Sequence, residues 1–343
     1  MLTYSNVVGN QEDWANYITN VDNRDTPFVN WLPVGSKPVN VLYQYQADKF
    51  ADPRVNAHVD GQPWTNFNSA ADNRGAMKAL IQWFDNTTSV SKLSEDVSNA
   101  AGVADELARD IPKRLKEMGR DMEVAFLGDQ DHREGTTTAG YHTRGVGSWT
   151  STSAQTLYPV PESFRPPSGS VDTTTTSANM TEDVVRNLIE SVATETGNQE
   201  TLTAWVGPKI KRMFTNFTFC LPSAAAASYA TQASGSTFNQ DGTSGKIVRN
   251  VTSYEGDFGM LDLRLNWWLA RVNSSYAITN TLAATQQYRM YLLHRERWEM
   301  RWNQKPTVYK PEFKGGSYEA AMDAICMLVC RNPRAEGKYA PTS

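Results

Sequence analysis

The sequence predicts an α+β fold, and three stretches of the 343-residue chain carry this prediction. Apolar residues recur at steps of three and four through residues 99–127, a spacing typical of a long amphipathic helix. Apolar and polar residues alternate through Val39–Gln46, which is typical of a half-buried strand. The nearly continuous apolar run Ala320–Cys330 fits a buried strand, although its length is also compatible with a helix.

The first 35 residues are predicted to form an arm, because they have anchoring side chains but too little apolar content for a core of their own. Trp14 belongs to one predicted helical turn. Pro27 and Phe28 then break the pattern, because proline disfavours helix in the residue before it, and Trp31 follows. We therefore expect the arm to pack on another structure, such as a second chain.

A hairpin with a long tip is predicted next. The strand Val39–Gln46 is followed by about thirty mostly polar residues, 47–77, and then by a second extended segment, 78–93. An irregular loop of this length in a compact domain is uncommon unless it has a function.

Aromatic side chains in the arm and in the hairpin tip have no local core to cover them. They are Trp14, Trp31, Trp64 and Phe67. Two alternatives stay open: the same chain supplies the covering residues, or another subunit does. Interfaces between subunits are enriched in aromatic residues, which favours the second alternative.

The long helix is predicted to begin after a cap at Ser98 or Asn99 and to end at Gly128. Pro112 lies inside it, so we expect a kink there.

The rest of the chain alternates between loops and regular elements. Residues 129–180 and 218–246 are predicted loops. A second helix runs from Thr181 to Gly197. Other elements are predicted at Thr203–Val206 (strand), Pro208–Asn216 (helix) and Leu261–Leu269 (strand).

The composition excludes several classes of protein. A net charge of −4 is too mild for a dedicated binder of polyanions. Four His and 3 Cys leave few metal ligands and acid–base groups. The chain has no secretion signal and no apolar run long enough for a membrane span. Three cysteines without a secretion signal fit reduced thiols in a cytosol.

Groups of potentially reactive residues favour structural interpretations. Residues 241–246 lack two positions of a phosphate-binding loop, so a flexible loop is favoured. A solvated loop is expected for the acidic group after the long helix, which consists of Asp129, Asp131, His132 and Glu134. A structural strand is expected for His294, Glu296 and Glu299. Buried thiols are expected for Cys326 and Cys330. We predict no catalytic, metal-binding or cofactor-binding residue and no cofactor.

A basic stripe is predicted near the C-terminus, where arginines project from one face of a strand. Its members are Arg289, Arg295, Arg297 and Arg301. Such a stripe can pair with carboxylates of a neighbouring subunit or contact DNA phosphates, and the interfacial alternative is favoured.

Seven short motifs lie between residues 10 and 259, and the resemblance based on their order extends over about 330 residues. They are N-Q-E-D-W at 10–14, D-T-P-F-V at 25–29, A-D-E-L-A at 104–108, L-K-E-M at 115–118, R-D-M-E at 120–123, W-V-G-P at 205–208 and Y-E-G-D-F-G at 254–259. In this order the chain resembles the major capsid proteins of tailed bacteriophages, whose fold is named after the Hong Kong 97 phage. The finer resemblance is to the subgroup typified by the phage SU-ten protein.

The resemblance implies a division of the chain. It would have an N-terminal arm (1–35), an extended-loop β-hairpin (36–92), a peripheral domain (93–177 and 286–343, with a spine helix at 99–127) and an axial α/β domain (178–285). The arm and the extended loop would contact other subunits through Trp14, Pro27, Phe28, Trp31, Lys49, Trp64 and Phe67.

The function that the resemblance implies is structural. Identical subunits would form pentamers and hexamers of an icosahedral or prolate head around double-stranded DNA, assembled in the host cytoplasm without a membrane. The scaffold is expected to be a separate protein, beside a portal and decoration proteins. The alternatives are the shell protein of an encapsulin-like cellular compartment, a carbohydrate-active enzyme with two placed carboxylates, and a nucleic-acid-binding module.

Overall fold

The computed structural model describes residues 25–64, 67, 69, 73–97, 105–217, 239–241, 246–248, 251–271, 286–312 and 315–341. Within these residues, the α-helices are Pro27–Trp31 (α1), Lys92–Val97 (α2), Glu106–Leu127 (α3), Val146–Trp149 (α4), Glu182–Thr196 (α5) and Pro208–Phe217 (α6). The strands are Leu42–Asp48 (β1), Arg74–Leu80 (β2), Gln82–Ser91 (β3), Val171–Asp172 (β4), Glu200–Val206 (β5), Asn239–Asp241 (β6), Lys246–Val248 (β7), Ser253–Gly256 (β8), Gly259–Leu265 (β9), Met290–Leu293 (β10), Trp298–Tyr309 (β11), Ser317–Cys330 (β12) and Gly337–Tyr339 (β13). They form sheets with the strand orders β1-β2, β11-β12-β3, β4-β13-β10-β5-β9-β8 and β6-β7.

A first buried core lies where α3 packs on the sheet β11-β12-β3. The central strand, β12, pairs antiparallel with β11 on one side and with β3 on the other. The ring of Phe84 meets that of Phe126 edge-on at 6.3 Å between centroids, and the Cys326 Sγ lies 3.9 Å from the Met122 Sδ. The predicted buried strand Ala320–Cys330 is confirmed.

The sheet that contains β5 and β10 is buried on both faces. Along β5, Trp205 belongs to the first core, whereas Ala204 and Val206 belong to a second core beneath α5 and α6. Along β10, Tyr291 faces the first core and Leu292 the second. Because successive side chains of a strand point to opposite faces, these two strands separate the two cores and contribute to both.

The predicted hairpin is present, but its second arm differs from the prediction. β1 and β2 pair antiparallel from Leu42↔Leu80 to Asp48↔Arg74. The predicted segment 78–93 is divided: β2 ends at Leu80, and β3 pairs with β12 in another sheet. The division follows from side-chain burial, since β3 places alternate side chains, such as Phe84 and Thr88, against α3 and the first core.

The long helix begins later than predicted. α3 starts at Glu106, and the Asp105 carboxylate accepts a hydrogen bond from the Ala108 N–H at 2.6 Å, so Asp105 and not Ser98 or Asn99 caps it. The end at Gly128 is confirmed. The helix continues through Pro112, and the expected kink stays a prediction.

The middle elements agree with the sequence except at one end. α5 ends at Gly197, whose φ of 68° is the left-handed conformation that favours glycine, and β5 and α6 lie where they were predicted. The predicted strand to Leu269 is wrong, because β9 ends at Leu265 and a 3₁₀ turn follows. The side chain of Asn266 starts this turn by accepting a hydrogen bond from the Trp268 N–H at 2.8 Å.

A buried carboxylate on α3 joins three separate parts of the chain. Glu123 accepts hydrogen bonds from the backbone N–H groups of Phe28 (2.9 Å) and Val29 (2.7 Å) and from the side-chain amide of Asn266 (2.6 Å). Burial raises the pKa of Glu123 to about 7, although these donors act in the opposite direction.

The expectation that Phe28 and Trp31 are covered by another subunit is corrected by the structure. Both rings are buried in the first core of their own chain, where each meets the indole of Trp205 edge-on at centroid distances of 5.5 and 5.6 Å. The local sequence offers no core, but the bonds from Glu123 hold α1 against distant residues.

Asp129 and Asp131 after α3 form internal ion pairs and His132 is buried, which corrects the expected solvated loop, whereas Glu134 is exposed as expected. Asp129 lies 2.7 Å from the Lys338 Nζ and 2.6 Å from an Arg289 guanidinium nitrogen. Burial alone would raise the pKa of Asp129, but these cations lower it below its usual range. Asp131 pairs with Arg144 at 2.8 Å.

The predicted domain division crosses a sheet. Strands β10 and β13 belong to the segment predicted as peripheral, yet they share a sheet with β5, β8 and β9 of the predicted axial segment. Among the described residues, no helix has the length and apolar character needed to cross a membrane.

Replacing the helix cap should loosen the start of α3. Asp105→Ala removes the acceptor for the Ala108 N–H, so we expect the free energy of unfolding to fall by about 1 kcal/mol. Hydrogen exchange at the Ala108 amide should accelerate. Asp105→Ser retains an acceptor and is the matched control; equal losses for both variants would contradict the assigned cap.

Glu123 should make stability depend on pH. Its folded pKa of about 7 lies above the ordinary 4.5, so its contribution is fully present below pH 4.5 and is lost as the pH rises through about 7. Relative to Glu123→Gln, the wild type should lose about 3 kcal/mol of unfolding free energy over this window. Denaturant titrations at several pH values measure this difference. Parallel pH profiles of the two proteins would contradict the assignment.

Candidate subunit-contact surface

The tip of the β1–β2 hairpin carries apolar side chains that none of the described residues covers. Trp64 is 74% exposed and Phe67 is 85% exposed. The other large apolar residues exposed in the tip are Phe50, Val55 and Val59. A monomeric protein rarely exposes so many large apolar side chains on one extension, and such surfaces mark interaction sites.

Part of the tip is a preformed turn, which we call the Trp64 turn (residues 58–64). The imidazole of His58 stacks on the indole of Trp64 at 4.6 Å between centroids, with the planes 5° apart. The Gln62 N–H donates to the Val59 carbonyl at 3.3 Å, and Gly61 between them has a φ of 80°. The turn therefore presents the ring in a defined orientation.

The base of the hairpin is fixed to the body of the subunit. The Tyr45 hydroxyl donates to the Cys330 carbonyl at the end of β12. The Arg301 guanidinium lies 4.0 Å from the centroid of the Tyr43 ring, a cation–π geometry. Met77, on β2, is buried in the first core. The hairpin thus extends from a rigid attachment.

The segment before the hairpin, residues 33–38, follows the outer edge of β11. The Met300 N–H donates to the Pro33 carbonyl and the Gly35 N–H donates to the Met300 carbonyl, both at 2.8 Å. A Cβ at Gly35 would lie 2.8 Å from a Glu299 oxygen and 2.9 Å from the Arg301 Cγ, so the close approach requires glycine.

The predicted basic stripe is corrected by the structure, because two of its three most C-terminal arginines bind their own chain's carboxylates. Arg297 pairs with Glu200 at 2.5 Å and Arg301 pairs with Glu299 at 2.6 Å, and both guanidinium groups are largely buried. Arg295 is exposed, and its Nε donates to the Trp31 carbonyl at 2.9 Å. A 3₁₀ turn at 295–297 replaces the strand that would have aligned them.

A cleft of about 540 Å³ opens beside the hairpin base. The lining comes from β1 and the adjoining tip, the 3₁₀ turn at 162–164, the end of α5, β11, and the end of β12 with the segment after it. These residues are Tyr43, Tyr45, Gln46, Ala47, Asp48, Lys49, Phe50, Ser163, Phe164, Glu195, Glu299, Arg301, Val329, Arg331, Asn332 and Arg334. Aromatic and aliphatic groups thus lie beside a set of charged ones.

One carboxylate in this cleft serves two guanidinium groups. Glu299 binds Arg301 through one oxygen and Arg331 through the other, at 2.6 and 2.7 Å. Arg331 remains 61% exposed. Arg334 has its own partner in Glu195. The Arg301–Arg331 pair therefore carries more positive charge than Glu299 neutralises.

The remaining predicted contact residues lie in different places. Trp14 is outside the described residues. Pro27 opens α1 beside the buried Phe28. Lys49 lies at the start of the tip, with its ammonium 3.6 Å from the Asp52 carboxylate. Of the seven predicted residues, Trp64 and Phe67 are the aromatic side chains that the structure shows exposed.

Sequence reasoning missed an exposed tryptophan away from the tip. Trp83 on β3 is 65% exposed, on the face of the three-stranded sheet opposite α3. The alternation along β3 was the available signal, since Phe84 and Trp83 must face opposite sides.

Reactive groups in the body of the subunit are enclosed. Burial raises the pKa values of the Cys326 and Cys330 thiols, and both cysteines are free and buried as predicted. Within the described ranges, no group of three or more His, Cys, Asp or Glu side chains is placed to hold a metal ion.

Comparison with known proteins identifies a matching family. The family model for the SU10 major capsid protein matches residues 1–343. A comparison with curated protein sequences finds no match.

Solved structures share the fold at low sequence identity. A cyanophage A-1(L) capsid subunit is 9% identical, with 98% of each chain covered and a TM-score of 0.63. A subunit of the mature capsid of bacteriophage PhiM1 is 10% identical, with 97% of this chain and 92% of the other covered and a TM-score of 0.61. A chain from Mycobacterium phage Adephagia is 8% identical, with 100% and 98% covered and a TM-score of 0.60.

Removing one hydroxyl should weaken the hairpin attachment. Tyr45→Phe leaves the Cys330 carbonyl without this donor, so we expect the unfolding free energy to fall by about 1 kcal/mol. Tyr43→Phe keeps the ring beneath Arg301 and is the matched control, with a smaller expected loss. Denaturant titration measures both losses, and equal values would contradict an anchoring role for the Tyr45 hydroxyl.

Proposed function

The chain belongs to the family of SU10 major capsid proteins and is therefore a structural protein of a phage capsid, and we propose that its copies assemble into the pentamers and hexamers of an icosahedral or prolate head. The observation that carries the proposal is the hairpin tip, whose exposed rings are not covered by any part of the chain that the structure describes. Repeated contacts between identical subunits supply such a surface.

We propose that the parts of the chain divide the work of assembly. The hairpin at 36–92 reaches a neighbouring subunit through Trp64 and Phe67, with Lys49 at its base. The arm is the part of the chain before α1, and its residues before Pro27, including Trp14, make its contacts with other subunits. Burial of Phe28 and Trp31 supports this narrower assignment, because a buried ring fixes the arm's origin on its own subunit.

The proposed domains follow the two cores. The peripheral domain combines α3 with the sheet β11-β12-β3 around the first core. The axial domain includes residues 178–285 and, in addition to the predicted segment, strands β10 and β13, because their sheet continues through β5 and β9. With the short edge strand β4 added, this assignment keeps the six-stranded sheet within one domain.

The proposed content of the head is double-stranded DNA, enclosed without sequence-specific binding. The net charge of −4 supports enclosure without tight adhesion. The internal ion pairs of Arg297 and Arg301 also support it, because these cations are held by carboxylates of their own subunit. We propose assembly in the host cytoplasm with a separate scaffold and a portal, and decoration proteins on the finished head.

Assembly of the purified protein tests the proposal. Expressed alone or with the scaffold encoded by the same phage, the wild type should sediment as capsomers or shells and show particles in electron micrographs. A protein that stays monomeric in both settings would contradict the proposed function. Particles loaded with an enzyme instead of DNA would indicate a cellular compartment.

Polar substitutions in the tip should prevent assembly without unfolding the subunit. The double variant Trp64→Ser and Phe67→Ser removes two exposed rings, so its circular dichroism and unfolding free energy should match the wild type while the yield of shells falls at least tenfold. Gln62→Ser in the same turn is the matched control. Normal shells from the double variant would contradict the role of the tip.

A further inference from the structure

Resting on the proposed function, we propose that the cleft beside the hairpin base receives the Trp64 turn of a second copy of this chain. The structure offers a preformed aromatic anchor at the tip and, on the same molecule, an open cleft of about 540 Å³ with aromatic walls.

The anchor is prepared for insertion. Trp64 is largely exposed, and its stacking on His58 fixes the ring before any partner arrives. A rigid aromatic residue loses little conformational entropy on binding, which is why such residues often dominate the affinity of an interface.

The cleft has the chemistry that an indole requires. The half-buried Tyr43 and the exposed Phe50 contribute apolar surface, and the buried Phe164 and Val329 lie behind it. Arg301 already covers the face of Tyr43, and the exposed Arg331 lies beside it through their shared partner Glu299. Planar guanidinium groups stack on aromatic rings, so the cleft offers both apolar contact and a cation–π partner.

Charge favours the same pairing. The Trp64 turn carries the exposed carboxylate of Asp60, four residues before the indole. In the cleft, Glu299 is divided between Arg301 and Arg331. An incoming carboxylate would complete this arrangement, as a second acceptor for Arg331.

The geometry selects another copy of the chain as the occupant. The hairpin contributes residues 43–50 to the cleft, whereas the Trp64 turn lies further out along the same hairpin and is not part of the lining. Tip and cleft are different surfaces, so their pairing is head-to-tail. A contact of this type closes into a ring when the rotation between subunits permits, which agrees with pentamers and hexamers.

Cysteine cross-linking in assembled particles tests the placement. In a Cys220→Ser background, Gln62→Cys in the turn is combined with Asn332→Cys at the cleft; both sites are exposed, and Cys326 and Cys330 are buried. After oxidation with copper phenanthroline, a denaturing gel should show a ladder up to the pentamer and hexamer. Each single-cysteine variant is a control and should give no ladder.

A second pair examines the competing surface. Gln62→Cys with Asp85→Cys places the partner thiol on the exposed sheet face next to Trp83. A ladder from this pair and none from the Asn332 pair would overturn the proposal, as would particles in which neither pair links. Failure of the wild type to form capsomers or particles would overturn the proposed function itself, which separates the two failures.

Coupling between the anchor and Arg331 provides an independent measurement. Trp64→Ala and Arg331→Ala should each raise the dissociation constant of the capsomer contact by about thirtyfold. The double variant should raise it by little more than either single change, because both remove the same interaction. Unfolding curves establish that the subunits stay folded. Fully multiplicative effects would overturn the pairing.

Discussion

The buried carboxylate of Glu123 is the constraint on which the position of the hairpin depends. Its hydrogen bonds hold α1 against α3, and α1 in turn places Trp31 in the first core. After α1 the chain follows the edge of β11. The contacts at Gly35 are so close that they fix the course of the backbone there. The position of Trp64, a surface residue far from Glu123, thus depends on a buried group that is inaccessible to any partner. The energetic cost of burying the carboxylate is partly offset by three N–H donors that would otherwise be unpaired.

The doubly buried sheet makes the subunit one mechanical unit. Because Trp205 and Tyr291 serve the first core while their neighbours serve the second, a shift of β5 or β10 would disturb packing on both faces. The ionic cluster of Asp129, Arg289 and Lys338 reinforces this junction, since it joins the end of α3 to β10 and β13. We therefore expect a displacement of the hairpin to be transmitted through α3 to the other side of the subunit.

Local signals in the sequence predicted local structure, and distant partners account for the errors. The start of α5 after Thr181 and its end at Gly197 were readable, because cap and periodicity lie within the element. The burial of Phe28 was not readable, because its partner Glu123 is 95 residues away, and Asp129 finds Lys338 at a separation of 209 residues. The exposed part of the candidate site could be predicted for the opposite reason: the stretch around Trp64 is mostly polar, and its few apolar residues are too scattered to form a local core. The cleft, which is the proposed binding site for the Trp64 turn, is formed by segments from five regions of the chain. No single stretch of sequence therefore predicts it.

The extended segment at residues 33–38 has a consequence for solubility. By bonding to the backbone of Met300 it occupies the beginning of the outer edge of β11, where these groups would otherwise be open to strands from other molecules. Unprotected sheet edges are common starting points for aggregation. The subunits of a shell-forming protein reach a high concentration before they assemble. Because the chain covers this part of the edge itself, subunits associate there through side chains, which distinguish between partners. Backbone pairing does not distinguish between them.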